Sequence, residues 1–376
     1  MAAITKGTMM DPNENVVMAT AVAGGGTVGS AATVINSIPA ADAEAVLMEK
    51  DFPPGLAKVV VSDAARAFPE RCWIVDNSGS MNTSDGHVLL GNSPNMKLIE
   101  TSRWQELVAT VMFHGELASS IVAPTEFRLL NQPPGVAQSV WCGVGNKENE
   151  MEELQRTMGS SPIGVTPLTD HVNTIRAHLV ERAADLRATG QHMILVLATD
   201  GVPSDQYGKS TSAESRRFQQ AVASLQGLPV TVVVRLCTDE DGVVQYWNDL
   251  DDQVELDLDV LDDFCGEAEE VMGLNPWLTY GLPLHQAREF GVRNKLFDLL
   301  DERPFKINEM HAFCELLFGP NIPNPQLDWA TFERELMERV NRMPQVWDPL
   351  KRKPHAWISA SRLRKAYGQG GKCTIS

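Results

Sequence analysis

From residue 70 to residue 262, short apolar runs rich in β-branched residues alternate with segments whose apolar positions recur every three or four residues. The first pattern belongs to strands buried on both faces, the second to helices lying on a sheet. Trp73-Ile74-Val75 predicts a buried strand that stops at Asp76, and Arg103 to Ser119 predicts a helix. Thr125 to Leu130 follows as a strand, Leu168 to Ala188 as a long helix, and His192 to Ala198 as a continuous apolar strand ending at Thr199-Asp200. Ser212 to Leu225 reads as a helix, and Val230 to Leu236 as a strand that is apolar except for its Thr and Arg. This alternation predicts a doubly wound α/β fold with a mostly parallel sheet, in which chemistry is expected at the carboxyl ends of the strands.

Two further patterns complete the division of the chain. Val254-Glu255-Leu256-Asp257-Leu258-Asp259-Val260 alternates apolar and acidic with period two. It predicts an edge strand whose carboxylates discourage edge-to-edge pairing, since the spacing and glycine of an EF-hand calcium loop are missing. From about residue 276 the pattern is helical: Ile307, Met310, Cys314 and Leu317, then Trp329, Phe332, Leu336 and Val340, each mark one apolar face. The expected organisation is an N-terminal arm over 1–45, an α/β domain over 46–275, a smaller helical C-terminal region over 276–350 and a basic tail over 351–376.

Charge and composition narrow the function. The 376 residues carry a net charge of −17, which argues against nucleic acid as a principal ligand because phosphate contacts need clustered Lys and Arg. The cysteines at 72, 142, 237, 265, 314 and 373 form no CxxC motif and read as reduced thiols. Val16 to Ile35 has no charged residue, yet its glycines and small residues make it a poor membrane segment, and the arm is expected to be disordered or loosely attached. Gly208-Lys209-Ser210 resembles the end of a phosphate loop, but Pro203 stands where that loop needs glycine.

The interior motif with the most chemistry is Asp76-Asn77-Ser78-Gly79-Ser80, directly after the first buried strand. Asp-x-Ser-x-Ser there resembles the first motif of von Willebrand factor A domains, where it forms a metal-ion-dependent adhesion site. The family needs a Thr in a loop before a helix and an Asp after a later strand. Gly164-Val165-Thr166-Pro167-Leu168 and Leu197-Ala198-Thr199-Asp200-Gly201 supply them. The resemblance covers roughly residues 66–275. It implies that the hydroxyls of Ser78, Ser80 and Thr166 bind a metal directly, while Asp76 and Asp200 hold coordinated waters and neutralise charge. An all-oxygen set suits Mg²⁺, which takes ligands near ~2.1 Å, with Mn²⁺ or Ca²⁺ as alternatives. Such an ion keeps an open position for a carboxylate from a partner protein.

The last four residues, Cys373-Thr374-Ile375-Ser376, fit the pattern read by prenyltransferases, with Ser376 favouring a farnesyl group. One lipid chain anchors weakly, and Lys351, Arg352, Lys353, Arg362, Arg364, Lys365 and Lys372 provide the second attraction toward an anionic membrane surface. The plain alternative is an incidental Cys on a solvated basic tail. The expected function is a non-enzymatic, metal-dependent protein-binding module held at the cytoplasmic face of a membrane and partly cytosolic. A metal-dependent hydrolase using the same site and a soluble accessory subunit of an ATPase assembly remain open. For the hydrolase, His87 and His171 are the histidines nearest in sequence to the motif loops.

Overall fold

The computed structural model describes residues 38–91, 96–238 and 240–368. Two helices, α1 (Ala40–Glu49) and α2 (Pro54–Ser62), lead into β1 (Glu70–Val75), a hairpin of β2 (Gly86–Leu90) and β3 (Lys97–Thr101), and α3 (Arg103–Ile121). The chain continues through β4 (Thr125–Leu129), β5 (Ser139–Cys142), α4 (Lys147–Met158), α5 (Leu168–Thr189), β6 (Met193–Thr199), α6 (Ser212–Ala223), β7 (Val230–Leu236), α7 (Asp241–Gln253) and β8 (Leu258–Leu261). A helical stretch follows: α8 (Phe264–Leu274), α9 (Leu282–Glu289), α10 (Lys295–Glu302), α11 (Ile307–Phe318) and α12 (Trp329–Arg342). The hairpin β9 (Val346–Asp348) and β10 (Lys353–His355) and the helix α13 (Ala360–Tyr367) close the described chain.

The fold is doubly wound α/β. Six strands form one sheet in the order β5-β4-β1-β6-β7-β8, all parallel except β5, which runs antiparallel to β4. Why the strand sequences are apolar without interruption is plain from their two parities. Cys72 and Ile74, with Leu195, Leu197, Val232 and Val234, meet α5, α6 and α7 on one face. Trp73 and Val75, with Phe127, Ile194, Val196 and Val233, meet α3 and α4 on the other. The sheet is covered twice, so each strand needs apolar side chains on both sides. Local capping sets the helix starts: the side chains of Ser102, Asn146, Thr211 and Asp263 each accept a backbone N–H from the first turn of α3, α4, α6 and α8.

The expected divisions at 276 and 351 do not coincide with divisions of the core. One hydrophobic cluster takes Leu47 of α1, Leu56 and Val60 of α2, Ile121 of α3 and Val271 of α8, and runs on to Phe313, Leu336, Trp357 and Leu363. Helix α2 touches α11 backbone to backbone: a Cβ on Gly55 would lie 2.3 Å from the Leu316 carbonyl oxygen. Residues 40–45 of the expected loose arm are helical, and residues 1–37 lie outside those described. Residues 351–367 of the expected tail are folded, because Trp357, Ile358 and Leu363 are buried and the segment bonds to residues 277 and 279 through its backbone. Three of its cations have partners: Lys351 with Asp348, Arg364 with Glu333, and Arg362 with the Pro276 carbonyl.

The acidic alternation also differs from expectation in detail. Only Leu258–Leu261 is strand, at the β8 edge of the sheet. Two of the three carboxylates of the alternation are paired, Asp257 with Arg293 and Asp259 with Arg288, while Glu255 is exposed. The edge is thus managed by ion pairing to the following segment more than by bare repulsion.

Helix α9 is buried along its length and carries Arg288 and Glu289. Glu289 meets His114 of α3 at 2.9 Å and Arg235 of β7 at 3.3 Å; Arg288 meets Glu267 of α8 at 2.5 Å, Asp301 of α10 at 2.9 Å and Asp259 at 3.2 Å. Removing one member leaves the other charge buried and uncompensated. Glu289→Ala is expected to lower unfolding free energy by ~3–5 kcal/mol in urea titration, and a loss below ~1 kcal/mol would show that Arg235 and His114 do not depend on it.

Candidate metal centre

In a sheet of this order, the strand connections leave in opposite directions from β1 and β6, and ligands bind in the crevice that opens between their carboxyl ends. Asp76 follows β1 directly, and Asp200 follows β6. The two loops are tied together: the Asp76 amide donates to the Ala198 carbonyl at 2.9 Å, and the Thr199 hydroxyl donates to Asp76 Oδ2 at 2.6 Å. Asp76 Oδ1 accepts the Ser78 amide at 2.8 Å, which bends the chain into the short 3₁₀ turn Gly79–Asn82. The Ser78 and Ser80 hydroxyls lie 3.0 Å apart, and Ser80 donates to Asp200 Oδ1 at 2.8 Å. Two carboxylates and two serine hydroxyls therefore form one connected arc, with Asp76, Ser78 and Asp200 buried and Ser80 exposed.

Thr166 reaches this neighbourhood through asparagines. Asn77 makes a two-point contact with the Asn131 backbone, donating to its carbonyl at 2.9 Å and accepting its amide at 2.8 Å. The Asn131 side chain repeats the device on the Val165 backbone, donating at 2.7 Å and accepting at 3.3 Å. Gly164 sits at φ +78°, and a Cβ there would lie 2.4 Å from Asn131 Oδ1, so glycine is required. The Gly79 amide bonds to the Gly164 carbonyl at 3.3 Å, and Ser204 exchanges hydrogen bonds with the Thr166 backbone at 2.9 and 3.0 Å. The Thr166 side chain makes no hydrogen bond to the described residues. Its loop is thus fixed against the Asp76 loop, while its hydroxyl stays outside the serine–aspartate arc.

One charged neighbour was not foreseen. Arg103, at the start of α3, donates to Asp200 Oδ2 at 3.1 Å, to Asp85 at 2.6 and 2.8 Å, and to Glu240 at 2.7 Å. Asp200 therefore turns one oxygen to a guanidinium and the other to Ser80. Asn77, Asn131 and Ser204 were also missed; their partners lie 34 to 54 residues away, and nothing local marks them. Of the histidines nearest in sequence, His171 is engaged elsewhere, its Nε2 lying 3.0 Å from the Leu130 carbonyl, while His87 makes no side-chain hydrogen bond to the serine–aspartate arc.

Electrostatics follow from the burial of two acids together. Burial first, then the charge of Asp200, pushes the Asp76 carboxyl up to about 6, against the hydrogen bonds from Thr199 and Ser78. Burial raises Asp200 as well, with Ser80 and Arg103 opposing it. Among the described residues no three His, Cys, Asp or Glu side chains gather as metal ligands. What is gathered instead is a set of hard oxygens, two of them carboxylate and mutually repelling, which fits a small divalent cation better than a soft one.

No protein-family model and no curated protein matches the chain. Among solved structures, a point mutant of the PilB minor pilin from Streptococcus sanguinis is similar over 52% of this chain, at 13% identity and a TM-score of 0.37. That likeness spans 57% of the pilin and carries no argument about this chain.

A cation needs Asp76 as carboxylate, whereas the metal-free carboxyl takes up a proton below pH about 6. Its raised value also means that the metal-free fold loses stability as pH rises through about 6, because the charged form is the disfavoured one. These are one protonation seen from two sides, and it widens the gap between metal-bound and metal-free stability at higher pH. The Mg²⁺-induced rise in melting temperature is expected to be clearly larger at pH 7.5 than at pH 5.5, and equal shifts at both would count against Asp76 as part of a metal site.

Proposed function

We propose that this chain is a non-catalytic binding protein whose Asp76, Ser78, Ser80, Thr166 and Asp200 hold Mg²⁺ for an acidic side chain of a partner protein. The observation that carries the reading is the arc of Ser78, Ser80 and Asp200 beside buried Asp76, at the point where the sheet's connections diverge. Its hydrogen bonds would be exchanged for contacts to the ion, which supplies a positive centre able to receive a carboxylate. The chain's own residues do the rest: Thr199 orients Asp76, Arg103 orients Asp200, and the paired asparagines hold the Thr166 loop. Tyr207, 76% exposed, lies on the loop that Ser204 fastens to Thr166. An exposed tyrosine beside a site is the kind of anchor protein interfaces use. In this reading the resemblance to von Willebrand factor A domains extends from motif to role.

Mg²⁺ at about 100 times its dissociation constant is expected to add ~2.7 kcal/mol to stability. Ser78→Ala with Ser80→Ala should remove that gain in thermal unfolding while leaving the metal-free protein folded. A metal response unchanged in the double variant would end the assignment.

The tether proposed for Cys373 rests on the sequence alone, because residues 369–376 lie outside those described. Among the described residues no helix is long and apolar enough to cross a membrane. Of the basic residues, Arg352, Lys353 and Lys365 are exposed and make no ion pair with a described residue, and these are the charges proposed to face anionic lipid. Cys373→Ser is expected to move the protein from the membrane to the soluble fraction, with loss of the prenyl mass from the native protein. A native Cys373 found unmodified, with Thr374 to Ser376 attached, would leave a soluble adaptor.

A further inference from the structure

Beneath the β2–β3 hairpin lies a cavity of about 240 Å³, separate from the serine–aspartate arc. By liquid volume it has room for roughly eight waters, or for one single-ring organic molecule. Its walls are part apolar, with Leu89 and Leu98 of the hairpin and the rings of Phe113 and Phe264 among them. Glu106, Arg235 and Glu289 also line it, but their charges are already paired with one another or with His114.

Helix α9 contributes two polar groups to the lining, Gln286 and His285, of which His285 also faces Glu289. Gln286 is 8% exposed, and its amide makes no hydrogen bond to the described residues. His285 is 1% exposed; its Nδ1 lies 3.4 Å from the Tyr280 hydroxyl, while Nε2 makes no hydrogen bond and has only Glu289 Oε1 at 3.4 Å. On the hairpin side, His87 Nδ1 is likewise buried without a partner. Buried polar groups are nearly always satisfied, so the His87 nitrogen calls for a partner inside the cavity, and the Gln286 amide on the same lining is a donor and acceptor with no hydrogen bond to the described residues.

We propose that this cavity is a binding site for a small neutral molecule with a flat apolar ring and an amide-like end. The ring would pack against Phe113 and Phe264, and the polar end would both donate to and accept from Gln286, with an imidazole nitrogen beside it. Charge selects against an anion, because Glu106, Glu289 and Asp263 outnumber Arg235 on the lining. The site stands on observations independent of the metal centre.

Benzamide is the probe that tests it, titrated against the full chain by saturation-transfer NMR. Saturable binding near ~1 mM is expected, a reasonable affinity for so small a molecule, with benzoate at least ~10-fold weaker because it brings a negative charge to an acidic lining. Gln286→Leu should weaken benzamide ~10-fold through the lost amide pairing. Ala109→Phe, at an exposed position on the cavity lining, should abolish binding without disturbing the core, and serves where the Gln286 variant does not fold. The proposal is overturned by no saturable benzamide signal, which would mean a cavity that holds water only. It is also overturned by benzoate binding as well as benzamide, or by benzamide binding that survives Ala109→Phe.

Discussion

Two charges on a helix with no exposed face govern how this molecule goes together. Arg288 and Glu289 are neighbours on α9, yet they look in different directions and must be neutralised by different elements. Burial alone would raise Glu289, but His285 and His114 hold it well below the ordinary carboxylate range. Burial would lower Arg288, and Glu267 and Asp259 hold it above its usual range. Buried ion pairs are poor sources of net stability, since desolvation offsets much of the attraction. We read their role here as fixing position: α9 can seat in one place only, where His114 and Arg235 await one charge and Glu267, Asp259 and Asp301 the other.

Helix α3 carries that arrangement to the candidate metal centre. Arg103 pairs with Asp200, Glu106 with Arg235, and His114 with Glu289, three contacts along one side of a single helix. Eleven residues of helix span ~17 Å, so the serine–aspartate arc and the buried charges of α9 are joined by one stiff rod. The small cavity under the hairpin lies between them and shares Glu106 and Glu289 as lining.

What could be read in the sequence was whatever depends on near neighbours. Val230–Leu236 appears as a strand at both of its expected ends, and the other strands and helices that were expected fall within a few residues of expectation, whereas β2, β3, β5, β9, β10 and α7 were not foreseen; two-sided burial writes itself as an unbroken apolar run, and short or half-exposed elements do not. The Asp76, Ser78 and Asp200 positions were legible for a related reason: short polar motifs stand out where a buried strand stops. Arg103 and Asn131 were not, since a charge or an amide shows its purpose only through a partner brought near by folding. Helix α4 was passed over because its sequence, Lys147 to Met158, is dominated by acids and amides. The segment 351–367 was expected as part of a basic tail on the strength of its charges, although Trp357, Ile358 and Leu363 anchor it in the core.

The contact of first and last helices with one core has a consequence in time. The sheet is complete in sequence at Leu261, but the helical core that covers part of it closes only when Leu363 has been made. At synthesis rates of ~5–20 residues per second, the intervening hundred or so residues take roughly 5–20 s to appear. For that interval α1 and α2 have been synthesised without α11, α12 or α13 to pack against. A ribosome-bound chain arrested shortly before residue 307 would therefore present those first two helices as apolar surface, the form in which a chaperone would meet them.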